Sequence, residues 1–206
     1  MPGRNLIKDY AEESYYHIYN RGVDKQPVFL SEQDYTVFLG LLKRYLGSGI
    51  EKRPNRINQA NYFNDVELLA FCLMGNHFHL FIYQHADRDS ITKFMRSLMT
   101  AYSMYFNKKY KRVGPVFQQR YRAVRITDDS QLLHITRYIH LNPEDYHNYQ
   151  WSSLLYYLGK KSPDGDWLRP NRVIALFDDD YSVFVDDYKG THDDLEQLKS
   201  ELADSQ

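Results

Sequence analysis

The apolar pattern changes period several times along the chain, and each change predicts an element. Residues 15–22, YYHIYNRG, are rich in strand formers and stop at a glycine, which predicts a strand. Ser31 with Asp34 three residues on reads as a helix start. Tyr35, Phe38, Leu41, Leu42 and Tyr45 then recur at helical spacing until Gly47. Residues 48–64 are polar and turn-rich, a long loop. Residues 66–73 form an apolar run, Gly75-Asn76 signals a turn, and residues 77–83 make the second arm of a hairpin. Ile91, Phe94, Met95, Leu98, Tyr102 and Tyr105 mark an amphipathic helix that ends near Tyr110, before Gly114-Pro115. Residues 122–126 read as a short strand. Asp128 with Gln131 caps a further helix carried by Leu132, Ile135 and Ile139, which must stop near Asn142 because Pro143 follows. Beyond it, residues 151–157 predict a short helix packed back on the domain, and residues 184–203 an exposed acidic helix.

Strand, helix, strand, strand, helix, strand, helix is the order of an α+β fold. It predicts a ferredoxin-like, RRM-like antiparallel four-stranded sheet with helices on one face, plus one added helix. The length of 206 residues is enough for a core without staples. A single cysteine, Cys72, excludes an internal disulfide framework and a multi-cysteine zinc cluster. With no apolar run of 18 residues and no apolar leader at the start, the expectation is a cytoplasmic protein without a membrane partner.

The net charge of −1 hides an asymmetry. Residues 90–125 carry nine cations (Lys93, Arg96, Lys108, Lys109, Lys111, Arg112, Arg120, Arg122, Arg125) and no acid, whereas residues 178–206 carry ten acids against Lys189 and Lys199. A basic middle points to a polyanionic partner. Tyr102, Tyr105, Phe106, Tyr110, Phe117 and Tyr121 interleave with those cations, so one surface can pair phosphates and stack unpaired bases. The same pattern also fits Lys and Arg stems lying over an aromatic core.

His77 and His79 flank Phe78 on a predicted strand, so both imidazoles point to one face about 7 Å apart, a spacing at which they can share a metal ion. Alone, the pattern equally describes two half-exposed histidines. Tyr138 and Asn142 stand four apart and share a helix face. A tyrosine can attack phosphorus, although only about a thousandth of a free phenol is ionised at neutral pH. With 19 tyrosines in the chain, a packing role is the competing reading.

Taken together and in this order, the pieces resemble one family. Gly75-Asn76-His77-Phe78-His79-Leu80 resembles the His-hydrophobe-His motif of the HUH nucleases. Arg137-Tyr138-Ile139-His140-Leu141-Asn142-Pro143 resembles the nucleophile helix of the single-tyrosine transposases of bacterial insertion sequences, above all their repeat-associated branch. Tyr16-His17-Ile18-Tyr19-Asn20-Arg21-Gly22 is similar to that family's first strand, and Gly114, Phe117, Gln118, Arg120, Tyr121 and Trp151-Ser152-Ser153 to its landmarks. The likeness covers residues 14–157, leaving an N-terminal extension at 1–13 and a C-terminal extension with the acidic tail at 158–206.

The resemblance implies a metal-dependent nuclease and strand transferase acting on single-stranded or hairpin DNA through a 5′-phosphotyrosine. It makes Tyr138 the nucleophile and the added helix its carrier. It makes His77 and His79 ligands of Mg²⁺ or Mn²⁺, with Asn142 as third ligand where family members often have glutamine. It also implies a homodimer. Tyr121 is a rival nucleophile, and His134 and His140 are rival third ligands. Two alternatives keep the same fold: a non-catalytic nucleic-acid-binding module, and a metal phosphodiesterase that uses water.

Overall fold

The computed structural model describes residues 10–48, 60–177 and 180–187. Four strands, β1 (Ser14–Arg21), β2 (Val66–Met74), β3 (His77–Gln84) and β4 (Arg122–Ile126), form one sheet in the order β2-β3-β1-β4. Every pairing is antiparallel. This is the order of the expected α+β, ferredoxin-like plan. The helices are α1 (Glu32–Leu46), α2 (Ser90–Tyr110), α3 (Asp129–His140), α4 (Leu154–Tyr157), α5 (Asn171–Ile174) and α6 (Tyr181–Asp186). No helix is long and apolar enough to cross a membrane among the described residues. Of the expected loop at 48–64, residues 49–59 lie outside the described residues, as does most of the expected acidic helix at 184–203.

Alternation along the strands divides the interior into two cores. Ile18, Phe78, Leu80, Ile82, Phe71 and Leu73 face α1 and α2 and pack with Phe38, Leu42, Phe94, Leu98 and Tyr102. Ala70, Cys72 and Phe81 face the other way and pack with Leu132, Ile135, Tyr138 and Ile139 of α3. Both faces being covered, β2 is buried along nearly its whole length, which is why it reads as a continuous apolar run. Each fully buried aliphatic or aromatic side chain contributes about 1.5–3 kcal/mol, so α3 is held mainly by the face it buries.

Local signals set the ends of the elements. The Asp34 carboxylate accepts the backbone N–H groups of Leu30 and Ser31 at 2.8 and 3.0 Å and so closes the start of α1. Asp128 accepts Gln131 N–H at 2.8 Å and starts α3. Lys111, at φ 52°, ends α2 in the left-handed region. The chain after α4 stays on the same body: Leu168 bridges to Leu68, Arg169 and Arg172 pair with Glu67, and Tyr181 and Val185 enter the core beside α3. Of the expected exposed helix at 184–203 only residues 184–187 are described: Phe184 and Val185 pack on the core beside α3, whereas Asp186 and Asp187 are exposed.

Candidate active site

The two-residue turn Gly75-Asn76 sets the hairpin so that His77 and His79 project to the α3 side of the sheet. The turn is anchored on both sides. Gly75 O accepts Val28 N–H and Phe29 N–H at 2.8 and 3.0 Å, and Asn76 O accepts Gly22 N–H at 2.8 Å. Gly22 is needed there, because a Cβ would meet Gln26 O at 2.0 Å.

The His77 and His79 rings lie 5.0 Å apart and perpendicular. His77 Nδ1 is 2.7 Å from Asn76 Oδ1, an acceptor, so Nδ1 carries the proton and Nε2 the lone pair. That Nε2 lies 3.2 Å from Asn142 Oδ1, a contact across 65 residues of chain. Two acceptors so placed need either the carboxamide NH₂ turned inward or a cation between them. Ligand atoms at about 2.1 Å from an octahedral ion sit about 3 Å apart, so this pair fits one. The helix ends at His140, two residues before Asn142, so Tyr138 and Asn142 do not share a helix face as expected. Asn142 nevertheless reaches His77 because the chain turns toward the hairpin before Pro143.

Tyr138, 6% exposed, sets its ring edge-on to His79 at 5.4 Å and to His17 at 6.0 Å. His17 is the residue the sequence pattern missed. From the middle of β1 its Nε2 lies 2.8 Å from His79 Nδ1, and burial pushes its pKa down to about 3. The signal for it was present: His17 and Tyr19 alternate to the same face as His79, which pairs with Tyr19 in the sheet register. Two imidazoles and a carboxamide oxygen are a donor set suited to a divalent ion such as Mn²⁺, with less carboxylate than Mg²⁺ prefers. Among the described residues no three His, Cys, Asp or Glu side chains group to hold a metal.

The rivals sit elsewhere. Tyr121 belongs to the core under α1 and α2, on the other side of the sheet, where its hydroxyl accepts from Tyr10 at 3.0 Å and burial raises its pKa. His140 is fully buried between Tyr181 Oη and Ser153 Oγ, both at 2.7 Å, and burial lowers its pKa to about 3. It is a core histidine pointing away from the hairpin pair. His134 is exposed midway along α3.

The nine cations do not form one surface, which corrects the expectation drawn from their spacing. Lys93, Arg96 and Lys108 lie on the exposed side of α2, in the layer across the sheet from His79. Lys93 pairs with Asp87 at 2.8 Å. Lys109 is engaged by buried Asp34 at 2.7 Å, with Tyr105 and Tyr110 on the same carboxylate. Lys111 and Arg112 follow in the loop after α2, and Arg120 is exposed before β4. Arg122 and Arg125 are three apart on a strand and so fall on opposite faces. Arg122 pairs in register with Tyr19 and shares the histidine face; Arg125 pairs with Tyr16 and faces the other core. Arg21, exposed and in register with His77, joins Arg122 at the site.

Residues 43–142 match the family described as IS200-like transposases. The chain is similar in structure to a REP-associated tyrosine transposase bound to a REP hairpin, with a TM-score of 0.56 and 15% identity over 80% of this chain and 91% of that one. A protein of Deinococcus radiodurans assigned as a transposase matches with a TM-score of 0.40 and 16% identity, over 68% of this chain and 95% of the other. No curated protein matches the chain.

Proposed function

Because the chain belongs to the IS200-like, single-tyrosine HUH transposase family, we propose that it cuts and rejoins single-stranded DNA through Tyr138. The observation that supports this most is the meeting, within one chain, of Tyr138 and Asn142 from the end of α3 with His77 and His79 from the hairpin. The homodimer implied by the resemblance is not needed to assemble these four side chains.

In this reading His77, His79 and Asn142 hold a divalent ion, Mg²⁺ or Mn²⁺, which when bound polarises the scissile phosphate and offsets its charge. Tyr138 Oη adds to phosphorus in line with the leaving 3′ oxygen, and the phenol proton passes to solvent. The P–O3′ bond breaks, the 3′ oxygen takes up a proton, and the 5′ phosphate stays on Tyr138. A second 3′-hydroxyl reverses the step and joins new DNA, so the diester bond is conserved without a nucleotide cofactor. Arg21 and Arg122 beside the histidines pair the flanking phosphates, and the remaining cations of the 93–125 stretch contact more distant parts of the strand. The hairpin held by the similar REP-associated protein supports a hairpin, or the single strand beside it, as the partner.

The 6% exposure of Tyr138 favours one second reading, in which water attacks and the phenol is structural. One assay separates them: a labelled library of single strands bearing randomised hairpins, incubated with Mn²⁺ and run on a denaturing gel. A covalent protein–DNA band that disappears in Tyr138→Phe is expected. Cleavage without the band favours water, and an uncleaved strand that is nevertheless retarded on a parallel native gel leaves a nucleic-acid-binding module.

A further inference from the structure

Two buried histidines of this chain make an instructive pair. His140 has both ring nitrogens satisfied, one by Tyr181 and one by Ser153, as a purely structural imidazole should. His17 is 1% exposed, yet its Nδ1 has no hydrogen-bond partner among the described residues. Leaving a buried polar atom unsatisfied is destabilising, and a phenylalanine would fill the place without that cost. The other nitrogen makes one contact, to His79. The His17 ring is also nearly parallel to those of His79 and Tyr19, at 5.1 and 5.0 Å, with Tyr138 edge-on against it.

We infer that His17 is a positioning residue, which holds the His79 ring in the plane and tautomer that present Nε2 to the ion and seats the Tyr138 ring beside it. This rests on the reading of His77 and His79 as ligands. A ligating imidazole keeps its one proton on the nitrogen away from the metal and hands it to an acceptor behind. Here that nitrogen is Nδ1, and the acceptor is the lone pair on His17 Nε2, with the His17 proton on Nδ1. The acceptor is commonly a carboxylate. An imidazole does the same task without adding negative charge, so the ligand set stays neutral and the full charge of the ion faces the DNA phosphate.

The test is the Mn²⁺ affinity of the DNA-free protein, read from the electron-spin resonance of unbound Mn²⁺, with a thermal melt beside it. His17→Phe keeps the volume and removes the acceptor; it should weaken Mn²⁺ about 10–100-fold while the melting temperature holds or rises. His17→Gln restores an acceptor oxygen and should recover much of the loss. Wild-type affinity in His17→Phe, or no recovery in His17→Gln, overturns the inference while leaving the ligand reading intact. If the wild-type protein itself binds no Mn²⁺, the ligand reading falls and this inference with it. Nitrogen-15 spectra of the wild-type histidines decide the point even if His17→Phe fails to fold. A proton on His79 Nδ1 supports the assignment, and one on Nε2 overturns it.

Discussion

The two faces of one sheet follow different rules. Under α1 and α2 the polar groups that are buried serve packing. Asp34, fully buried, gathers Lys109, Tyr105, Tyr110 and two backbone N–H groups, and Tyr102 donates to Val28 O. Burial alone would raise the Asp34 carboxyl, but those hydrogen bonds together hold it at about 2. Under α3 the polar groups gather into a site instead. His77, His79, Asn142 and Tyr138 converge, and His17 gives up a hydrogen bond to face one of them. The contrast teaches that aromatic and basic residues of the same kinds are fixtures on one face and reagents on the other, according to what the sheet sets opposite them.

The sharpest way to break the comparison is to exchange tyrosines across it. Tyr138→Phe should reduce the covalent protein–DNA product by at least about 1000-fold while changing stability by under about 1 kcal/mol. Tyr121→Phe should leave the product in place. A gel showing the adduct in the first variant, or losing it in the second, would reverse the assignment of the faces.

Next in size is the Asp34 network. Asp34→Asn leaves Lys109 half-buried without its carboxylate and should cost about 3–5 kcal/mol in urea unfolding, with adduct formation retained at low temperature. The linkage sign gives a companion result. Because the Asp34 pKa is depressed in the folded state, the wild-type contribution is present above about pH 4 and is lost as pH falls toward 2. That acid limb should be shallower in the variant.

His140 acts at a higher pH. Its folded pKa lies near 3 against about 6.5 unfolded, so the unfolded chain binds more protons in between. Stability should therefore fall as pH drops below about 6.5, by roughly 1 kcal/mol per pH unit for one such histidine. His140→Gln keeps a polar partner for Tyr181 and Ser153 and should flatten part of this slope in pH-dependent urea melts. An unchanged slope would mean that His140 does not resist protonation.

The smallest effect concerns the two strand arginines. Arg122→Ala should weaken single-strand binding by about 1 kcal/mol and reduce the salt slope by about 0.7, the value for one lost phosphate contact on a single strand. Arg125→Ala, on the opposite face, should do less. Equal losses in a filter-binding series would show that the strand wraps both faces.

Much of the architecture was legible because it rests on local chemistry. The Asp128 cap, the Gly75-Asn76 turn and the break before Pro143 each act within a few residues, and the structure uses all three. What was not legible depends on layers. Spacing alone cannot say that α2 and α3 lie on opposite sides of the sheet, so the cations of 93–125 looked like one surface. Strand parity does separate Arg122 from Arg125 once the register is known. The proximity of His77 and Asn142 needed the hairpin and the end of α3 to be placed together, and His17 needed the pairing of β1 with β3. Lys109 looked exposed because its neighbours in sequence are; its partner Asp34 is 75 residues away.

The sheet order carries one more consequence. β3 and β1 are the inner strands, each hydrogen-bonded on both sides, and they bear all three clustered histidines. Their amide hydrogens belong to the part of the molecule that exchanges only when the whole domain opens. Tyr138 rides instead on a twelve-residue helix in the outer layer, clamped by Arg137 over the Phe184 ring and by His140 against Tyr181. The imidazoles are thus placed by the hydrogen-bond ladder of the sheet itself, and the phenol by the side-chain packing of a docked helix, so each half of the site has its own foundation.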